Sequence, residues 1–96
     1  MNKIVLDKEI SLTGQKFLAR VEIFSTVALN DLYTYHVTLL RADGKIIGQR
    51  SRSSNDLLNL PLLVKWAIRD MSSELRISEA LAAKIEQFEK WDGRIV

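Results

Sequence analysis

Asn59-Leu60-Pro61-Leu62-Leu63-Val64-Lys65-Trp66-Ala67-Ile68-Arg69-Asp70-Met71 is the most apolar segment of this 96-residue chain. Leu60, Leu63, Val64, Ala67, Ile68 and Met71 recur at helical spacing, while Lys65, Arg69 and Ser72 mark a narrow polar stripe. Asn59 is a good N-cap, and Pro61 then falls in the first turn, where its missing N–H removes no hydrogen bond. A start at Asn55 would instead bury the proline in the helix interior, at a cost of about 3 kcal/mol. Leu62 and Trp66 lie off the main stripe, so more than one side of the helix wants cover. The segment reads as the helix that closes the core of a small α+β domain.

The residues before it alternate with period two. Ile4, Leu6, Ile10 and Leu12 face one way, and Lys3, Asp7, Glu9 and Ser11 the other, as in a half-buried strand. Thr13-Gly14-Gln15-Lys16 reads as a hairpin turn. A second strand over residues 17–27 follows, with Phe17, Ala19, Val21 and Ile23 on its apolar face and Arg20 and Glu22 opposite. Ala28-Leu29-Asn30-Asp31 supplies the next turn. Residues 32–40 form a third strand, with Tyr33, Tyr35, Val37 and Leu39 on one side and Thr34, His36, Thr38 and Leu40 on the other. Ala42-Asp43-Gly44-Lys45 is the strongest turn signal in the chain. It leads into a short fourth strand over residues 45–50, with Gly48 inside it. Ser51-Arg52-Ser53-Ser54-Asn55-Asp56 is polar enough to be a loop, and Leu57 and Leu58 form a short turn of their own.

After the opening helix, which runs to about Glu74, Ser78-Glu79 offers a second N-cap for a helix over residues 79–91. Leu81, Ile85, Phe88 and Trp91 share its apolar stripe, and Glu86 and Lys90 form a supporting i,i+4 pair. A single kinked helix fits the same pattern, because Ser72-Ser73 is only a soft stop. The expected fold is a four-stranded antiparallel β-meander with two C-terminal helices, or one kinked helix, on one face of the sheet. Residues 1–96 make one domain. The expected core is Ile4, Leu6, Ile10, Val21, Ile23, Val37, Leu39, Leu63, Ala67, Ile68, Met71, Ile85 and Phe88.

Composition narrows the function classes. No cysteine is present, which excludes disulfides and thiolate metal sites. The apolar run Ile4-Val5-Leu6 is too short for a signal core or a membrane span, so a cytoplasmic protein with no membrane partner is expected. Fourteen basic against twelve acidic residues leave a net charge of +2, which permits polyanion binding without arguing for it. His36 is the only histidine, set mid-strand between Thr34 and Thr38, and the acidic residues are not spaced for a metal. Gly14, Gly44, Gly48 and Gly93 match no phosphate-loop spacing. No catalytic residue, cofactor or metal follows from these residues, and a non-enzymatic role is expected.

Two binding surfaces remain. Leu18, Phe24 and Leu40 make an apolar patch on the otherwise polar sheet face, beside Arg20, Glu22 and His36. Together with the short fourth strand, expected to lie at an edge of the sheet, this patch would suit another protein or a second copy of the chain. The alternative is nucleic acid or another anion held by Arg41, Lys45, Arg50 and Arg52 around the last hairpin, with Ser51, Ser53 and Ser54 alongside. Tyr33 and Tyr35 are better read as core than as a stacking platform for bases, and Trp66 as gap-filling rather than a partner anchor. The order of hairpins, an Asp-Gly-Lys turn at residues 43–45 and a capped helix is similar to that of several small phage-encoded inhibitors, anti-CRISPR proteins among them. That resemblance implies a small accessory or inhibitor protein that works by binding another protein.

Overall fold

The computed structural model describes residues 2–26 and 32–95. Strands β1 (Asn2–Leu12), β2 (Gln15–Thr26), β3 (Leu32–Arg41) and β4 (Ile46–Ser54) form one sheet in sequence order, every neighbouring pair antiparallel. Helices α1 (Leu60–Asp70) and α2 (Ser72–Lys90) follow. The expected α+β meander is therefore the fold. The turn read at Ala28-Leu29-Asn30-Asp31, and Val27 before it, lie outside the described residues.

Local chemistry explains the hairpins. Leu12 pairs with Gln15, so Thr13 and Gly14 alone make the first turn, with φ of 47° and 81°. Two left-handed residues give the turn whose twist matches that of the strands it joins. Glycine accepts this freely, whereas the branched Thr13 is crowded there. In the second hairpin the Arg41 N–H donates to the Lys45 carbonyl at 2.8 Å, and the Asp43 carboxylate accepts from the Lys45 N–H at 3.0 Å. The ladder between β3 and β4 then shifts register between Leu39 and Leu40.

The inward face of β3 is the one bearing Tyr35, Val37 and Leu39. These pack with Phe17, Ala19 and Val21 of β2 beneath Leu63, Ala67 and Met71. The Tyr35 hydroxyl accepts from the Leu58 N–H at 3.1 Å and donates to the Asp56 carbonyl at 3.4 Å, which ties the connection after β4 to the core. Asn59 caps α1 as expected, its side-chain oxygen accepting from the Leu62 N–H at 3.1 Å, with Pro61 in the first turn.

Three expectations need correction. β4 does not end near Arg50: the Ser51-Arg52-Ser53-Ser54 run is strand, not loop. Ser51 and Ser53 take partners on β3, and Arg50 and Arg52 take partners on the helices, so each polar side chain is satisfied in extended backbone. The helix break falls at Met71, not between residues 74 and 79, and Ser78 lies inside α2. Met71 leaves helical geometry at φ −91° and ψ 14°, yet its N–H still bonds the Ala67 carbonyl at 2.9 Å. Third, Ile4, Leu6, Ile85 and Phe88 are exposed, whereas Phe17, Ala19 and Tyr35 belong to the buried core.

The reason for the third lies in the helical layer. Four strands spaced about 4.8 Å apart make a face roughly 15–20 Å wide, room for two helices about 10 Å apart. α1 covers the middle strands and the first turns of α2 lie over β4, but no helix covers β1. α2 then runs past the sheet, every residue from Ala83 to Lys90 exposed. The radius of gyration is 17.5 Å, against about 12–13 Å for a compact domain of this size, and the molecule extends 67 × 23 × 20 Å.

Gly48 sets how closely α2 approaches β4. A Cβ there would sit 2.8 Å from the Met71 Sδ and 3.3 Å from its Cγ, and Met71 has no exposed surface into which to retreat. Gly48→Ala is expected to destabilise the fold by about 1–3 kcal/mol, read from the urea midpoint at constant m-value. Thr13→Asn, by contrast, relieves the crowded turn and should raise stability by about 1 kcal/mol in the same assay.

Candidate functional site

Leu18, Arg20, Glu22, Phe24, His36 and Leu40 do share the sheet face away from the helices, as strand parity dictates. Pairing places Arg20 opposite Asp7 and Glu22 opposite His36. What fills that face is a cross-strand polar ladder. The Arg20 Nε donates to Asp7 at 2.8 Å and Lys3 Nζ meets Glu22 at 2.8 Å. Lys16 pairs with Glu9, and the Gln49 amide donates to Thr38 at 3.3 Å. His36 Nδ1 lies 2.8 Å from the Ser51 hydroxyl, and its ring meets Phe24 edge-on at 5.2 Å. Lys3 also sits 5.6 Å from the centre of the Phe24 ring. Leu18, Phe24 and Leu40 are thereby half-buried among their neighbours.

The ladder also biases the carboxylates. Hydrogen bonding from Arg20 holds the Asp7 carboxyl below its ordinary range, and hydrogen bonding from Lys3 does the same for Glu22. In each case the ionised form is the one the partner bonds.

The basic residues of the alternative reading do not assemble into one surface. Arg41 sits at the hairpin end, 3.5 Å from Asp43, and Lys45 is exposed beside it. Arg50 points to the helix side instead. Its Nε bonds Asp70, and its Nη2 donates to Glu74 at 2.7 Å and to the Asp70 carbonyl at 3.1 Å. One guanidinium thus spans the end of α1 and the start of α2. Hydrogen bonding from Arg50 lowers the pKa of Glu74. Arg52 lies over the Trp66 ring, 5.5 Å from its centre, and Trp66 itself is half-buried.

Two surfaces stand out that the alternation of residues did not single out. The first is an apolar groove of about 560 Å³ between β1 and α1, lined by Leu6, Ile10, Leu12, Leu60, Val64 and Ile68. Asp7, Lys8, Glu9 and Lys65 line it as well, and of these Lys8 and Lys65 have no ion pair among the described residues. The second is the outer stripe of α2: Ile77, Leu81, Ile85 and Phe88, all exposed, continued by Trp91 against Phe88 at 6.0 Å. The part of it formed by Leu81, Ile85, Phe88 and Trp91 was legible in the sequence, with Ile85 and Phe88 read as core. What parity and period cannot reveal is that the cover runs out.

Among the described residues no cluster of His, Asp and Glu is placed to hold a metal ion, and no helix is long and apolar enough to cross a membrane. Comparison with protein-family models, curated proteins and solved structures finds no match to the chain.

Asp7, Glu22 and Glu74 each have a folded pKa below the unfolded value, so their contribution to stability is complete above the ordinary carboxylate range. It is lost as pH falls through the lowered folded values. The urea midpoint should therefore hold level from neutral pH down to that range and then drop. In Arg50→Met the part of the acid limb owed to Glu74 should shrink to what the backbone hydrogen bond at Glu74 sustains, making the limb shallower than in the parent chain.

Proposed function

We propose that this chain is a non-catalytic protein-binding module, of the accessory or inhibitor kind, whose binding surface is the uncovered edge of the sheet at β1. The observation that carries this reading is the exposure of Ile4 and Leu6 at 53 and 43% on the helix-side face of the edge strand β1, beside an apolar groove, with Val5 exposed on the other face of the same edge. Large apolar residues clustered on one edge mark a place where a partner removes them from water. The outer backbone groups of β1 are open to pairing, so an added strand and side chains in the groove could bind together. Asp7, Lys8 and Glu9 set charges beside the apolar residues and limit indiscriminate pairing along the same edge.

The sheet face with Leu18, Phe24 and Leu40 is the weaker version of the same idea. Its apolar residues are half-buried under ion pairs that a partner would have to displace. The nucleic-acid alternative gains no support from the geometry, because Arg41, Arg50 and Arg52 are already engaged within the chain.

The test compares two variants of the immobilised chain, offered both a native-cell lysate and a soluble copy of the chain. Leu6→Asp is expected to cut retention of the bound protein at least tenfold. Leu18→Asp combined with Phe24→Asp is expected to leave most of it. Retention indifferent to Leu6→Asp, or no protein retained at all, would overturn the reading.

A further inference from the structure

Lys8 is the residue of the β1 edge whose charge the chain leaves unanswered. Alternation sets Leu6, Lys8 and Ile10 on the helix-facing side of β1, and the Cα partner of Lys8 is the buried Ala19. Asp7 and Glu9 also line the groove, but the same alternation gives their side chains to the opposite face. There Arg20 bonds Asp7 at 2.8 Å and Lys16 meets Glu9 at 3.3 Å, so both carboxylates are already answered. Across the groove, α1 presents Lys65. Neither Lys8 nor Lys65 has an ion pair among the described residues, so the charge left over at the groove is positive on both walls.

An edge that binds by strand addition reads its partner through alternate side chains. A strand laid along the outside of β1 sets every second side chain beside Leu6, Lys8 and Ile10. Beside Leu6 and Ile10, at the apolar groove, an apolar side chain leaves water. Beside Lys8 a carboxylate completes an ion pair, an apolar side chain completes nothing, and a cation is repelled. The order apolar, basic, apolar is the same in both directions, so parallel and antiparallel additions make one demand. It also turns away β1 of a second copy: antiparallel pairing that aligns Leu6 with Ile10 sets Lys8 against Lys8. The other edge, β4, makes no such offer on its helix side. Met71 packs over Gly48 there, and Arg50 is bonded to Asp70 and Glu74.

We infer that the partner taken at the β1 edge is an extended segment of another protein, carrying an acidic residue with an apolar residue two positions away on either side. This deepens the protein-binding reading and rests on it. Leu6 and Ile10 supply the attraction and Lys8 supplies the choice. An inward-facing lysine guards an edge strand against strands at large, and a carboxylate set beside it lifts that guard.

The experiment titrates the purified chain with synthetic peptides, followed by amide NMR. One peptide is Thr-Val-Thr-Glu-Thr-Val-Thr, blocked at both ends; a second has Lys in place of Glu, and a third has Val. At low salt the glutamate peptide is expected to bind about tenfold tighter than the lysine peptide, with the valine peptide between them. Added salt should narrow that gap. Shifts should centre on β1 and the groove, and hydrogen exchange of the β1 amides should slow. Lys8 is exposed, so Lys8→Glu should keep the parent circular dichroism while reversing the order of the glutamate and lysine peptides.

Equal binding of the three peptides, binding of none, or shifts confined to β4 would overturn the inference, whatever the variant does. Retention from the native-cell lysate separates it from the reading beneath it. If retention is lost in Leu6→Asp but unchanged in Lys8→Glu, the acidic segment is removed and the protein-binding reading stands. If retention is indifferent to Leu6→Asp, both fall.

Discussion

Met71 lies against the backbone of Gly48 with no surface exposed, and the layout of the helical layer depends on that approach. The thioether fills the space that a side chain at position 48 would need, so β4 and the helix break come within van der Waals distance. Arg50, two residues along the strand, adds bonds to Asp70 and Glu74 on either side of the break. Apolar packing sets the distance and the guanidinium sets the direction. Once both are satisfied, α2 lies over β4 for its first turns and has only one way to continue.

From that constraint follows the uneven cover of the sheet. α1 serves the middle strands, β4 is served by the start of α2, and β1 is left with apolar residues facing an open groove. A chain of this length could have folded α2 back over β1 and become compact, and its radius of gyration says that it has not. The uncovered strand and the unpartnered stripe are one consequence seen from two ends.

The opposite face follows a different logic. There each strand pairs a charged or hydroxylated residue with its neighbour's, Lys3 with Glu22, Asp7 with Arg20, Thr34 with Ser53, and His36 with Ser51. Exposed pairs of this kind stabilise weakly one by one, but they keep the face wetted and set against stacking on another sheet. Phe24 and His36 pack edge to face inside this ladder, so the aromatic residue is partnered within the chain.

Much was determined by the sequence alone. The alternation in β1, β2 and β3 decided which residues share a face, Thr13-Gly14 and Asp43-Gly44 placed the hairpins, and Asn59 with Pro61 placed the start of α1. Such features depend on a residue and its near neighbours, which the sequence contains in full. The fate of Ser51-Arg52-Ser53-Ser54 was decided elsewhere, because a polar run becomes strand only when β3 offers its ladder and Asp70 and Glu74 offer carboxylates to the neighbouring Arg50. The helix break moved to Met71 because burial against Gly48 holds it there, not because a capping residue stops the helix. Ile4, Leu6, Ile85 and Phe88 carry every mark of core residues, and alternation put Ile4 and Leu6 on the helix-facing side of β1. Whether a side is covered depends on how many helices lie over it, and that number belongs to the packing of the whole layer and to no segment of the chain.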